Sequence, residues 1–278
     1  MTVTIFSATG CARCKITKKF LQERGIEYLE FDIKAEGKDE FAKFYRENRN
    51  AIFRDKDGVE FPVFTDGKVI RQGVSVIISY LIAGDRLQKT VGRSELHGEW
   101  IDGFNISGAE PGVAEELLTV LGHLKKSGLK IQVVTNGKNS TLLKSLVEKS
   151  LVDCVIMEVR GPARLYSGIV GEVITEEELR HSIQLTCSVP EYRLVTTITP
   201  FFRYNDLLDF ITPEEVGETA KFIEDASGSK KHPYLLRPFN PQNCVDERFA
   251  SIEPLPSSAL FKYRTAARRY QVMADIEK

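Results

Sequence analysis

The sequence has few cysteines, little net charge and no long apolar run, and each shortage excludes a class of protein. Its 278 residues carry 38 basic and 39 acidic side chains, so the net charge of −1 argues against a generally basic surface for nucleic acid. No uninterrupted apolar run approaches the roughly 18 residues that a membrane-spanning helix needs. The chain opens on a strand pattern where a secretory signal would lie. We therefore expect a cytoplasmic protein that contacts neither membrane nor nucleic acid.

Metal-ligand spacing is also missing. Five cysteines in a chain of this length do not make a disulfide scaffold, and one pair is closely spaced. A structural zinc site needs four ligands at compatible spacing, which this sequence does not offer. We expect no metal site. The isolated thiols and the scattered imidazoles are Cys154, Cys187, Cys244, His97, His123, His181 and His232.

The closely spaced pair is Cys11 and Cys14, in the segment TGCARCK at residues 9–15. An alternating apolar run at residues 3–6 precedes it, and a stretch with helical period follows, so both sulfurs lie at a strand-to-helix corner. A thiolate at a helix N-terminus faces unpaired N–H groups and the positive end of the helix dipole. We expect a lowered pKa for the Cys11 thiol. The nearby cations that add to this effect are Arg13, Lys15, Lys18 and Lys19.

The elements around this corner follow a legible order. A helix ended by Gly25 leads to a strand at residues 28–33, and a crossover of this length predicts a parallel, right-handed pair. A second helix follows, and then residues 50–60 predict a loop or short hairpin. Two apolar runs flank Asp66-Gly67, which indicates a β-hairpin. A helix over residues 74–83 completes the unit.

This order around CxxC resembles glutaredoxin, in the thioredoxin superfamily, over residues 2–83. The resemblance implies that Cys11 is the nucleophilic cysteine, Cys14 the resolving cysteine and Pro62 a cis-proline. It also implies that backbone groups from Phe61 to Val63 pair with a bound thiol substrate. The activity implied is thiol–disulfide exchange, with no bound cofactor required.

A glutathione subsite is implied by the same resemblance, with two departures. The residues it includes are Arg13, Phe61, Pro62, Val63, Gly73, Val74 and Ser75. Glu60-Phe61-Pro62 stands where the family has Thr-Val-Pro, and no acidic residue follows Gly73 where the γ-glutamyl end of glutathione docks. The reductant is therefore left open between glutathione and a dithiol.

Periodicity is lost over residues 84–98, which predicts a polar linker between domains. Beyond it, apolar strands alternate with helices to residue 241, as in a parallel sheet covered on both faces. The predicted ranges are a glutaredoxin-like domain at 1–83, a linker at 84–98, a partial α/β barrel at 99–241 and a C-terminal extension with a helix at 242–278. The fold class is α/β, a thioredoxin fold followed by a partial (β/α) barrel.

The strand ends of the second domain resemble those of radical SAM activating enzymes of the anaerobic ribonucleotide reductase and pyruvate formate-lyase type. Gly108-Ala109-Glu110-Pro111 stands where that family has a Gly-Gly-Glu-Pro segment, which contacts the amino group of S-adenosylmethionine. The CxxxCxxC motif that holds the family's iron–sulfur cluster is absent from its expected place. We expect a degenerate barrel without cluster or S-adenosylmethionine cleavage. Its remaining ligand residues would be Gly108, Ala109, Glu110 and Asn136.

Three functions are compatible with these patterns. The first is a dithiol oxidoreductase whose second domain binds a partner or ligand. Its partner would be a disulfide-containing protein or glutathione, and the second resemblance implies an anaerobic ribonucleotide reductase or glycyl-radical system. The second is a redox-sensing binding module. The third is a working iron–sulfur activating enzyme, in which isolated cysteines complete a cluster.

Overall fold

The structure is a computed structural model that describes residues 3–56, 58–110, 112–203, 207–244 and 246–277. Two compact units make up the chain, Met1–Gln132 and Val133–Lys278. The predicted domain ranges divide the chain differently, and they stay predictions.

The first unit contains the predicted elements in the predicted order, with one addition, a short strand at Leu96–His97 inside the range predicted as a linker. They are β1 (Val3–Ser7), α1 (Ala12–Glu23), β2 (Tyr28–Asp32), α2 (Lys38–Glu47), β3 (Arg54–Asp55), β4 (Gly58–Val59), β5 (Val63–Thr65), β6 (Ile70–Gln72), α3 (Val74–Ala83), β7 (Leu96–His97), β8 (Trp100–Asn105) and α4 (Ala114–Lys126). The loop or short hairpin predicted at residues 50–60 is the antiparallel pair β3 and β4. Gly25 follows α1 with a φ of 62°, which glycine adopts without strain.

A four-stranded sheet in the order β2-β1-β5-β6 positions the cysteine pair. β1 and β2 are parallel, as the intervening helix predicts, and β5 is antiparallel to both β1 and β6. Successive side chains of β1 point to opposite faces, so Ile5 packs with Leu21 and Ile77 whereas Phe6 packs with Val63. Because both faces are buried, the sheet fixes the end of β1, from which the chain leads into Cys11.

The segment 84–98, predicted as a polar linker, packs against its own unit. The side chains of Leu87 and Val91 are buried. Val91 bridges to β8, and the Gly92 amide donates to the Gly103 carbonyl at 2.9 Å. A β-carbon at Gly103 would lie 2.9 Å from the Arg93 carbonyl oxygen, so glycine is needed there for the close approach. This packing holds residues 92–96 in place. Residues of this segment contribute to the candidate site described below.

The second unit alternates strands and helices. Its elements are β9 (Lys130–Thr135, which starts in the last residues of the first unit), α5 (Ser140–Glu148), β10 (Cys154–Glu158), α6 (Ala163–Val170), α7 (Glu176–Ser188), β11 (Glu191–Ile198), β12 (Pro200–Phe202), β13 (Leu208–Phe210), α8 (Pro213–Ser227), β14 (Tyr234–Pro238), α9 (Ser257–Ala267) and β15 (Asp275–Ile276).

The sheet of the second unit is rich in parallel pairs. Its strands lie in the order β15-β14-β11-β10-β9, and the pairs from β10 to β15 are parallel. Met157, Leu194 and Tyr234 from three of these strands share one core with residues of α7 and α8. The α/β class is therefore confirmed, and the partial barrel of radical SAM type stays a prediction.

Two further features of the helices bear on later points. The Thr212 hydroxyl accepts a hydrogen bond from the Glu215 amide at 3.2 Å, and the Glu215 carboxylate accepts one from the Thr212 amide at 2.8 Å, a capping box at the start of α8. Within the described ranges, none of the helices has the length and apolar character needed to cross a membrane.

Candidate active site

The CxxC pair lies where β1 gives way to α1. Cys11 caps α1, and its sulfur accepts a hydrogen bond from the Cys14 amide at 3.1 Å. The two residues form a disulfide, with Cα atoms 5.3 Å apart. Cys14 is only 2% exposed, whereas Cys11 is half-buried. Cys11 is therefore the more accessible residue of the pair, and Cys14 lies inside the domain.

A carboxylate at the end of β2 fixes the loop that leads into this pair. Asp32 accepts hydrogen bonds from the Thr9 amide at 3.1 Å, from the Thr9 hydroxyl, and from the Lys34 amide at 2.9 Å. The Thr9 hydroxyl, and next the Lys34 amide, lower the pKa of Asp32. The Cys11 amide donates to the Ala8 carbonyl at 3.0 Å. These bonds hold the backbone in the conformation that presents Cys11.

The loop before β5 lies beside Cys11. Its Phe61–Pro62 peptide bond is cis, as the resemblance implies. The Phe61 carbonyl oxygen is 3.8 Å from the Cys11 sulfur, and the Pro62 carbonyl accepts a hydrogen bond from the Gly73 amide at 3.0 Å. Val63 enters β5 with its side chain fully buried. The fold thus places the predicted substrate-contacting loop against the Cys11 sulfur.

An ion-pair cluster that the sequence reasoning missed lies next to this loop. One carboxylate oxygen of Glu60 is 2.5 Å from Nη1 of Arg13, and the other is 3.8 Å from Nη1 of Arg93. The Glu60 side chain is only 10% exposed. Burial raises the pKa of Glu60, against the opposing effect of Arg13 and then Arg93. The sequence offered one signal for this cluster, since Glu60 stands where the glutaredoxin family has threonine.

A CxxC disulfide at a helix start, beside a cis-proline that opens a hairpin, is an arrangement suited to thiol chemistry. Residues 3–70 match the glutaredoxin family model. The N-terminal part of the chain is a glutaredoxin domain with a thioredoxin fold. Its family suggests a thiol–disulfide oxidoreductase in general terms.

Similarity to curated proteins is limited in extent. The chain is 29% identical over 117 residues to cytochrome P450 4V2 of Pongo abelii and, equally, to that of Homo sapiens. The match covers 40% of this chain and 20% of each relative. The chain thus spans about a fifth of the length of these relatives.

The start of α3 in the glutaredoxin domain is covered. Gly73 precedes the helix, and Val74 and Ser75 are 1% and 0% exposed. The Ser75 hydroxyl is hydrogen-bonded to the Ser94 hydroxyl and lies 3.4 Å from the Gly92 carbonyl oxygen. The segment that follows α3 therefore covers the side chains predicted to contact glutathione at this end of the subsite.

Three of the four cations predicted near Cys11 face carboxylates. The pairs are Arg13 with Glu60, Lys18 with Glu30 at 2.7 Å, and Lys19 with Glu23 at 3.8 Å. Lys15 is exposed. Much of the positive charge is thus compensated within the domain. The amide of Cys14 is the nearest favourable partner for a charged Cys11 sulfur.

The residues predicted to hold a ligand in the second domain fall in different units. Gly108, Ala109 and Glu110 belong to the first unit, where Ala109 is buried and Gly108 packs tightly against the Lys89 backbone. The ammonium of Lys89 lies 2.7 Å from the Glu110 carboxylate and lowers the pKa of Glu110. Pro111, the last residue of that motif, lies outside the described residues.

Asn136 belongs to the second unit and lines a cavity of about 450 Å³ there. Asn136 and Arg160 follow the carboxyl ends of β9 and β10, the edge where α/β sheets commonly bind ligands. The guanidinium of Arg160 is paired with Glu158, and that of Arg248 lies 4.7 Å from the ring centroid of Phe202. The cavity is a second candidate binding site that does not involve the cysteine pair.

Two of the three isolated cysteines, Cys154 and Cys187, lie where burial disfavours the thiolate. The Cys187 sulfur is 3.6 Å from Nδ1 of His232, and burial raises the pKa of Cys187 to about 11. Burial likewise raises the pKa of Cys154 and lowers that of His232. Cys244 is half-buried. Over the part of the chain that the structure describes, no group of three or more His, Cys, Asp or Glu is placed to hold a metal ion.

Proposed function

We propose that this protein is a cytoplasmic thiol–disulfide oxidoreductase with Cys11 and Cys14 as its redox-active dithiol. The observation that carries the proposal is the disulfide at the start of α1, inside a segment that matches glutaredoxin. The difference in exposure between the two sulfurs supports different roles for them. Cys11 attacks the substrate, and Cys14 completes the reaction from inside the domain.

The cycle begins with both cysteines reduced. The Cys11 thiolate attacks one sulfur of a substrate disulfide, forms a mixed disulfide and releases the other substrate sulfur as a thiolate. Cys14, as its thiolate, then attacks the Cys11 sulfur, which releases the second substrate thiol and forms the Cys11–Cys14 disulfide. Two electrons have passed to the substrate. A dithiol reductant, or two molecules of glutathione, returns two electrons and two protons to the pair.

The second domain, in this proposal, is a degenerate barrel of radical SAM type that binds the partner or a small ligand. Its client would be a disulfide-containing protein of an anaerobic ribonucleotide reductase or glycyl-radical system. The proposed chemistry needs thiols alone, with neither an iron–sulfur cluster nor S-adenosylmethionine. Iron and sulfide analysis after anaerobic purification tests this point, since about four irons per chain would identify an iron–sulfur enzyme instead.

The test of the activity is reduction of insulin disulfides by the purified full chain, with dithiothreitol as the dithiol. The wild type should accelerate the reaction, and Cys11→Ser should abolish the acceleration. Reduced Cys14→Ser, freed of dithiothreitol before it is mixed with insulin, should accumulate one mixed disulfide per chain, which mass spectrometry detects. Cys187→Ser is the matched control and should behave as the wild type does. Equal loss from Cys11→Ser and Cys14→Ser, with no trapped adduct, would contradict the assigned roles.

A further inference from the structure

A small cavity adjoins the exposed side of Cys11. It has a volume of about 330 Å³ and lies entirely within the first unit. Its walls beside Cys11 and Arg13 are aliphatic or aromatic: Ala8, Ala12, Val59, Phe61 and Leu96. In a mixed disulfide between Cys11 and a substrate thiol, the substrate group next to the disulfide would enter this cavity. The walls favour an apolar side chain because burying apolar surface is favourable and burying an unpaired charge is costly.

Arg13 carries the only charge among the described residues that line this cavity. Its guanidinium is already paired with the largely buried carboxylate of Glu60, at 2.5 Å. Arg93 approaches the same carboxylate at 3.8 Å and lies 3.5 Å from the ring centroid of Phe53. Asp55 and Glu95 add negative charge around Glu60. An anionic substrate therefore meets a cation whose charge is compensated, in a neighbourhood with three acidic groups.

The start of α3 adds no open place for a carboxylate. The side chains of Val74 and Ser75 are buried. The Ser75 hydroxyl already has the Ser94 hydroxyl and the Gly92 carbonyl oxygen as hydrogen-bond partners. The same segment supplies both this cover and Leu96 of the cavity wall. The covered start of α3 and the compensated charge of Arg13 leave no uncompensated cation among the described residues that line the cavity beside Cys11.

We propose that Glu60 is a built-in counter-ion that sets substrate choice, so that Cys11 reacts preferentially with disulfides flanked by uncharged, apolar groups and discriminates against anionic thiols such as glutathione. The inference rests on the proposed oxidoreductase activity and names its substrate class. Glu60 acts through Arg13, because its carboxylate faces that guanidinium rather than the sulfur. It is a specificity-determining residue and does not take part in the exchange itself.

The experiment compares two mixed disulfides of one fluorescent cysteine peptide, made with glutathione and with glutathione diethyl ester. The two differ in the carboxylate charges and keep the same tripeptide skeleton. For the wild-type full chain, kcat/KM for the ester should exceed that for glutathione by about tenfold. A glutathione carboxylate gives up hydration in this site without gaining a charge-assisted hydrogen bond, and one such bond is worth about that much. Glu60→Gln should raise the glutathione value and bring the ratio towards one. Glu36→Gln, an exposed site with the same change in net charge, should keep the wild-type ratio.

Arg13→Gln provides an independent check that does not depend on the folding of the Glu60 variant. Without Arg13 the Glu60 carboxylate keeps only Arg93, at 3.8 Å, as a partner, so the preference for the ester should widen. A wild type that prefers glutathione, a ratio unchanged in Glu60→Gln, or a ratio that falls in Arg13→Gln would overturn the inference while leaving the oxidoreductase activity in place. Failure of the wild type to reduce either peptide would instead refute the activity itself.

Discussion

Reduced Cys11 should ionise more readily than an ordinary cysteine, and the structure gives the size of the effect. The Cys14 amide donates to the Cys11 sulfur at 3.1 Å. A hydrogen bond to a charged group contributes about 1.5–3 kcal/mol. The start of a helix adds about 0.3–1 kcal/mol for an anion. The sum of about 2–4 kcal/mol raises the ratio of thiolate to thiol by roughly 30-fold or more, since about 1.36 kcal/mol is a factor of ten.

An ordinary cysteine is only about 3% thiolate at pH 7, so the gain should leave reduced Cys11 at least about half ionised. The assay is the rate of iodoacetamide alkylation of Cys11 in Cys14→Ser, resolved by peptide mass spectrometry as a function of pH. This variant keeps the backbone N–H of residue 14 and removes the competing sulfur. Alkylation of Cys11 should already reach at least about half of its plateau rate at neutral pH.

Cys187 is an internal control in the same sample. Because burial raises the pKa of Cys187 to about 11, its alkylation should rise only under alkaline conditions. The reasoning is refuted if Cys11 titrates no lower than a cysteine in an unfolded peptide of the same sequence.

Three further predictions concern stability. Tyr166→Phe should lower the free energy of unfolding by about 1–3 kcal/mol in urea titrations followed by circular dichroism, because the buried hydroxyl shares its proton between two backbone carbonyls and accepts a hydrogen bond from the Arg160 amide; an unchanged midpoint would contradict this. Thr212→Ala removes the capping box of α8 and should cost about 1 kcal/mol, seen in the same titrations, with Thr212→Ser restoring most of it. The raised pKa of Glu60 means that the folded state binds a proton more readily than the unfolded state, whose value is near 4.5. Stability should therefore fall as pH rises from 4.5 through the raised pKa, and Glu60→Gln should gain on the wild type over that range; a gain that shrinks with pH would refute the assignment.

Much of the first unit could be predicted because its signals are local. The alternation at residues 3–6 identified β1, Gly25 marked the end of α1, and Asp66-Gly67 located the turn between β5 and β6. Each of these depends on neighbours a few positions away in the chain. The cysteine pair is equally local, so its place at the helix start followed from the apolar alternation before it and the helical period after it.

The parts of the site that were missed are formed by distant segments. Arg13, Glu60 and Arg93 come from three separate stretches, and nothing in their local sequence indicates that they meet. The contact between Ser75 and Ser94 has the same origin. Residues 84–98 looked like a linker because their periodicity is weak, although several of their side chains are buried.

In the second unit, the sequence patterns did not reveal α6 or the hairpin of β12 and β13. For α6 the reason is again that contacts with distant segments stabilise it. α6 is short and contains Gly168, which lowers intrinsic helix propensity. Its Tyr166 hydroxyl bonds the carbonyls of Asn136 and Glu158, so tertiary contacts hold a helix that its own sequence favours weakly.

The cover over the start of α3 has a practical consequence for dissecting this protein. A fragment cut at the end of the family match, or at residue 83, would lose Arg93, Ser94 and Leu96 together. Ser75 would be uncovered, Glu60 would keep a single arginine, and one wall of the cavity beside Cys11 would be gone. We expect such a fragment to react with glutathione disulfides more readily than the full chain does, as a glutathione-dependent glutaredoxin would. The substrate range of the intact molecule must therefore be measured on the intact molecule.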